Sequence, residues 1–232
     1  MFKRIAHTAG LAGLLAAILL TVLQLLWVTP LILEAETYEN SEPAAVHEHG
    51  DGAAAHVHEE DAEAWSPEDG WQRTLSTSGS NLVVAVGFAL MLAGLYSLKA
   101  PLRVREGLAW GAAGFVTFNL APAAGLPPEL PGTAAADLLL RQYWWVGTAT
   151  ATAVGLALLV FARHWALRIG ALLLIAVPHL IGAPQPEMHE SLAPEHLERQ
   201  FVFASLTTNA LFWLALGAAS AWLFSRPAHG AR

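Results

Sequence analysis

The sequence predicts an all-α, polytopic membrane protein, a six-helix transmembrane bundle, on three observations. Six apolar stretches are each about long enough to cross a bilayer, the charges between them segregate by side, and cysteine is absent. About 20 residues suffice to span a hydrocarbon core, and no other element class fits such lengths as well. A chain of 232 residues that is 55% hydrophobic and only 13% charged is far from a disordered composition. It suits a single integral membrane domain over 1–232. Without cysteine, disulfides, thiolate metal sites and thiol catalysis are excluded.

The first span is expected at 5–28. Its apolar run of about 24 residues exceeds the core of a secretory signal, and Leu33-Glu34-Ala35-Glu36 lacks a small-x-small cleavage pattern, so a retained helix is expected. Gln24 is its polar residue. Five further spans are expected at 79–98 with Asn81, 107–126 with Asn119, 142–162 with Thr148, Thr150 and Thr152, 166–183 with His179, and 201–224 with Asn209. A polar group in lipid faces protein or water, because leaving it unsatisfied costs free energy. Interhelical hydrogen bonding is the default role of the amides. His179 differs: it follows Pro178 in an apolar run, and the proline frees a carbonyl one turn earlier, near Leu174. Asn119 with Pro122 repeats that theme.

Charge predicts orientation. Lys3, Arg4, Lys99, Arg103, Arg105, Arg163, Arg168, Arg226 and Arg232 fall on one side, and only Arg73, Arg141 and Arg199 on the other. This bias places both termini in the cytoplasm. Glu106 is the only acid inside, so the inner face carries a net +8 and the outer face −15, together the chain's −7. A surface so negative concentrates cations and argues against nucleic-acid binding.

Residues 29–78 are expected to form an external, partly disordered loop holding twelve of the nineteen carboxylates and four of the ten histidines. Its centre contains two His-x-His pairs, His47 with His49 and His56 with His58, among acids. Neutral imidazole ligates divalent Co, Ni, Cu and Zn well, and neighbouring carboxylates fill remaining positions. In extended chain the two histidines of a pair point the same way. The competing reading is a solvated acidic loop with incidental histidines.

A shift of 58 residues aligns Pro128-Glu129 with Pro186-Glu187, Asp137 with Glu195, and Arg141-Gln142-Tyr143 with Arg199-Gln200-Phe201. This pattern suggests a tandem duplication of helical hairpins, arranged about an axis along the membrane normal. Pro30 followed by Glu34 and Glu36 makes a weaker third copy. Three outer helix ends then present Glu34 and Glu36, Glu129, and Glu187 with His189 as an acidic vestibule. The prolines there also serve simply to end helices, and Pro194-Glu195 suits a first helical turn.

Several segments resemble one family. The opening Ala9 to Gln24, then Pro30-Leu31-Ile32-Leu33-Glu34-Ala35-Glu36, is similar to the start of CbtA proteins, proposed cobalt transporter subunits of bacterial membranes. Asn119-Leu120-Ala121-Pro122, Arg141-Gln142-Tyr143-Trp144-Trp145 and Pro178-His179-Leu180-Ile181-Gly182-Ala183-Pro184 extend the resemblance over nearly the whole chain. It implies Co2+ as transported substrate, uptake linked to cobalamin synthesis, a bacterial cytoplasmic (inner) membrane location, and a small single-helix, histidine-rich CbtB-like partner subunit. Homo-oligomers are an open alternative.

No Gly-rich loop precedes either lysine, so ATP hydrolysis needs another subunit. The expected route has His47, His49, His56 and His58 collecting a divalent ion. Glu34, Glu36, Glu129, Glu187 and His189 attract it, and Asn119 with His179 passes it inward. An enzyme is not expected: G-x-S-x-G is absent and the acids lie in exposed loops. Two other readings stay open, a metal-binding accessory or sensor without transport, and a haem-binding membrane redox protein.

Overall fold

A computed structural model describes residues 1–39, 67, 70–98, 102–188 and 190–226. Within these the chain is helical, in six runs that follow the expected order. They are α1 (Phe2–Glu39), α2 (Trp71–Ser97), α3 (104–123), α4 (Leu138–Phe161), α5 (Trp165–Ile181) and α6 (Glu195–Ser225). Four of them, α1, α2, α4 and α6, are long and apolar enough to cross a membrane, and α5 is a shorter apolar helix. The first two helices run past the expected spans, 5–28 and 79–98, into the segment expected as a loop. Residues 29–39 continue α1 and 71–78 open α2, because both helices project past their apolar stretches as polar turns. The His47–His58 segment lies outside the described residues.

Two π-helical turns interrupt the first and third helices, Gln24–Val28 in α1 and Val116–Leu120 in α3. Each stands two residues before a proline, Pro30 or Pro122. Proline supplies no N–H to the carbonyl four residues back. The chain widens instead: the Thr29 N–H bonds the Gln24 carbonyl and the Ala121 N–H bonds the Val116 carbonyl. Such bulges cluster at functional sites, and both of these carry an intramembrane amide, Gln24 or Asn119.

Without water there is little hydrophobic drive between helices in lipid, so close packing of small residues holds them. Along α1, Ala9, Ala12, Ala16, Ala17 and Leu20 face Ala85, Ala89, Leu92 and Ala93 of α2 and Phe212 and Leu216 of α6. On the other side of α6, Gly217 meets Gly107 and Gly111 of α3 backbone to backbone, where a Cβ on Gly107 would collide with the Gly217 carbonyl. Helix α6 is thus enclosed by α1, α2 and α3, whereas α5 packs chiefly along α4. Arg4 donates to the Phe224 carbonyl and lies over the Phe224 ring, 4.3 Å from its centroid, so both ends of the bundle's chain meet on one side. A cation there also suits the carbonyl end of α6.

The loops α3–α4 and α5–α6 meet each other at residues 58 apart. Thr133 and Ser191 form an antiparallel bridge. The Ala134 N–H bonds the Glu190 carbonyl at 2.8 Å, and the Leu192 N–H bonds the Gly132 carbonyl at 3.3 Å. Gly132, at φ +75°, takes a backbone conformation that other residues rarely adopt, with Leu192 against it.

Candidate functional site

The helix ends beside the bridged loops and at the α1–α2 turn carry carboxylate–guanidinium pairs. Glu36, near the end of α1, receives two bonds from Arg73 in the first turn of α2, at 2.5 and 3.1 Å. Glu129, after α3, receives one from Arg141 in the first turn of α4, at 2.6 Å. Both pairs are about one-quarter to one-third exposed. In the third hairpin Arg199 turns to Glu195 on its own helix at 2.9 Å, with side chains 70% and 78% exposed. Two carboxylates of the expected vestibule, Glu36 and Glu129, are therefore engaged by arginines. Glu34 and Glu187 are exposed. Asp137 caps α4, accepting from the Leu140 N–H at 3.0 Å, and Glu195 opens α6 as expected. Glu106 accepts the Arg103 N–H at the start of α3 at 3.1 Å.

Between the two bridged loops lies a cleft of about 280 Å3. Glu129, Arg141, Glu190 and Glu198 supply its charge, and Pro127, Pro128, Pro184 and Pro186 stiffen its walls. Glu190 and Glu198 were not singled out by sequence. The 58-residue shift sets them against Gly132 and Leu140, so a search for matched acids passes over them. A larger open groove, about 710 Å3, runs along α2 from Trp71 to Val84. Among the described residues no acid or imidazole lines it.

Inside the bundle the polar side chains are largely joined to one another. Asn81 donates to the Gln24 amide oxygen at 2.7 Å and to Thr21 at 3.1 Å, tying α1 to α2 at the first π turn. Asn119 accepts the Trp213 indole N–H at 2.7 Å, tying α3 to α6 at the second. Asn209 bonds back to the Ser205 carbonyl. Thr148, Thr152 and Thr208 are buried with no hydrogen-bond partner for the hydroxyl.

His179 stands apart from these groups. It is exposed in the last turn of α5, with its ring edge-on to Trp144 at 5.8 Å. The Trp144 indole N–H bonds the Pro178 carbonyl at 3.1 Å, so the indole is fixed by the carbonyl of the proline itself rather than by one a turn earlier. The structure thus brings Glu129 together with the cleft and separates it from His179, which faces outward from the hairpin. No group of three or more histidine, aspartate or glutamate side chains able to hold a metal occurs among the described residues. His47, His49, His56, His58 and His189 lie outside the described residues.

A family model described as CbtA, probable cobalt transporter subunit, matches residues 2–225. No curated protein and no solved structure matches the chain.

Proposed function

Because the chain belongs to the CbtA family, we propose that it is the membrane subunit of a divalent-metal uptake transporter whose cargo is cobalt. The observation that carries this is the family match over nearly the entire chain. The acid-lined cleft between the outer loops supports it as the place where an ion first meets the folded protein. Both termini are assigned to the cytoplasm of a bacterial inner membrane by the basic bias of the loops. The cleft then opens outward.

Physical chemistry then sets the order of events. The net −15 of the outer segments raises the local cation concentration. His47, His49, His56 and His58 collect a borderline divalent ion, and His189 with exposed Glu34 and Glu187 hands it to Glu190 and Glu198. Glu36 and Glu129 act differently from Glu190 and Glu198. Their charge is partly offset by Arg73 and Arg141, so they hold the mouth in shape and attract the ion only at longer range. Asn119 and His179 remain the inward ligands, and each must first be released, Asn119 from Trp213 and His179 from its outward pose. A divalent ion entering a cell that is negative inside gains roughly 4.6 kcal/mol per 100 mV, twice the single-charge figure. The harder step is replacing its hydration shell without binding it too tightly.

Uptake of radioactive cobalt by cells carrying Glu190→Gln with Glu198→Gln, at matched protein level, tests the cleft. Uptake at low external cobalt is expected to fall severalfold and to recover at high cobalt. Unchanged uptake removes the cleft from the route.

A second reading, a metal-binding accessory with no transport of its own, draws on one observation. Gln24, Asn81 and Asn119 are all engaged in helix–helix bonds, so the path through the membrane needs groups from elsewhere. A CbtB-like subunit is the proposed source. Cobalt flux into proteoliposomes holding this chain alone, and then with that subunit, separates the two readings.

A further inference from the structure

The hydrogen bonds between the two outer loops are reciprocal under the 58-residue shift. Ala134 donates to Glu190, and Leu192, its equivalent, donates to Gly132, the equivalent of Glu190. Thr133 sits opposite its own equivalent, Ser191, with the two hydroxyl oxygens 3.4 Å apart. Such reciprocity is the mark of a local two-fold axis. Exchange about it converts the α3–α6 packing into the α5–α4 packing, and both are present. Helices α4 and α6 are therefore equivalent members of two related hairpins.

Their surroundings differ most plainly on one face. On α6, Phe201, Ala204, Ser205, Thr208 and Phe212 are 8%, 0%, 9%, 1% and 2% exposed. Helix α1 covers that face: Val28 and Ala35 pack with Phe201 and Ala204, and Ala12, Ala16 and Leu20 cluster with Phe212. The equivalents on α4 are Tyr143, Val146, Gly147, Thr150 and Val154, which fall on one face of the helix. Tyr143, Val146 and Val154 are 73%, 56% and 45% exposed. Gly147 and Thr150 are exposed too, with open space around Gly147. By contrast the α4 face equivalent to that of Trp213 is filled, with Gly155 against Ala171 and Ile175 of α5.

Composition says what kind of surface this is. Membrane-facing helix surfaces are rich in large aliphatics, as α5 is at Leu172, Leu173, Val177 and Leu180. Faces that receive another helix carry small and hydroxylated residues, which let backbones approach and hydrogen-bond. Gly147 and Thr150 belong to the second kind, as Ser205 and Thr208 do under α1.

We infer that the α4 face of Tyr143, Val146, Gly147, Thr150 and Val154 receives an apolar membrane-spanning helix from the other subunit, running antiparallel to α4 as α1 runs against α6. The covered twin of this face shows the chemistry of the occupant: an Ala- and Gly-bearing stripe like that of α1. This rests on the reading of the chain as a subunit, and not on cobalt being the cargo.

The test places a photo-crosslinking benzoylphenylalanine at Val146 or Val154 of the full chain in membranes that also hold its partner subunit, with Leu173 on α5 as control. Crosslinking to the spanning segment of that partner, sequenced by mass spectrometry, is expected about tenfold above the Leu173 level. Gly147→Leu and, separately, Thr150→Leu should remove it while leaving the yield and helicity of the chain unchanged. Adducts with lipid alone, equal yields at Leu173, or two copies of this chain joined together would each overturn the inference. Loss of cobalt uptake with crosslinking intact would touch the cargo assignment only.

Discussion

Helices α4 and α6 carry related sequences into opposite surroundings. On α6 the face of Phe201, Ala204, Ser205, Thr208 and Phe212 is covered, and the matching face of α4, from Tyr143 to Val154, is open. Both begin with Arg-Gln-aromatic and both put small or hydroxylated residues one turn further on. What separates them is the α1–α2 hairpin, which packs along α6. In a membrane, where burial by itself drives little, an open face of this kind is a surface kept for another helix rather than a defect in packing.

Substitutions at matched positions break or sharpen that comparison. The largest effect is expected from Gly217→Leu, which forces α6 off the Gly107 backbone. Reversible unfolding of the purified chain in mixed micelles should register a loss of about 3 kcal/mol, whereas Gly147→Leu on the open face should cost almost nothing. An equal loss for Gly147→Leu would show that its face is already filled within this chain. Next, Phe212→Ala should cost about 2 kcal/mol in the same assay, less than in a water-soluble core because lipid also solvates the ring. Its counterpart Val154→Ala should fall within the error. Smaller again is Trp213→Phe, which removes the donor to Asn119 for about 1 kcal/mol. Smallest is the contrast at the helix starts. Arg141→Gln breaks a half-buried pair with Glu129 at 2.6 Å and should cost up to about 1 kcal/mol. Arg199→Gln, in an exposed pair with Glu195, should be nearly silent, as exposed pairs often are.

The apolar stretches made the helices legible, and a polar boundary is where they stopped being so. Hydropathy ends the first span at Val28, yet α1 continues through Glu34 and Glu36 to Glu39. Its last turns are held by Arg73 across the gap and by Ala35 under Phe201, which are tertiary contacts that a local pattern cannot contain. Pro122 beside Asn119 announced irregular backbone, but not that it would take the form of a π turn, and Pro30 was read only as part of a repeat. The 58-residue shift was legible from matched Pro-Glu and Arg-Gln pairs. Its spatial meaning appeared only when Thr133 met Ser191.

The candidate site was legible in part for the same reason. Sequence identified the acids that recur, Glu129 and Glu187, and one of these proved to be an arginine's partner while the other is exposed. The acids that line the cleft from the second loop and the first turn of α6, Glu190 and Glu198, break the repeat and so carried no signal. His179 drew notice as an imidazole in an apolar run. A helix's apolar residues do not say which of its faces is covered, and α5 is covered mainly by α4. His179→Ala sharpens this: if the outward pose persists during transport, uptake should be unchanged, and a severalfold loss would mean that α5 rotates or is covered in the working complex.

The most direct measurement is cobalt accumulation in cells that retain the partner subunit, with and without this chain, before and after an ionophore collapses the membrane potential. The account predicts that accumulation requires the chain and drops when the potential is lost. Accumulation that is the same in cells lacking the chain would contradict it.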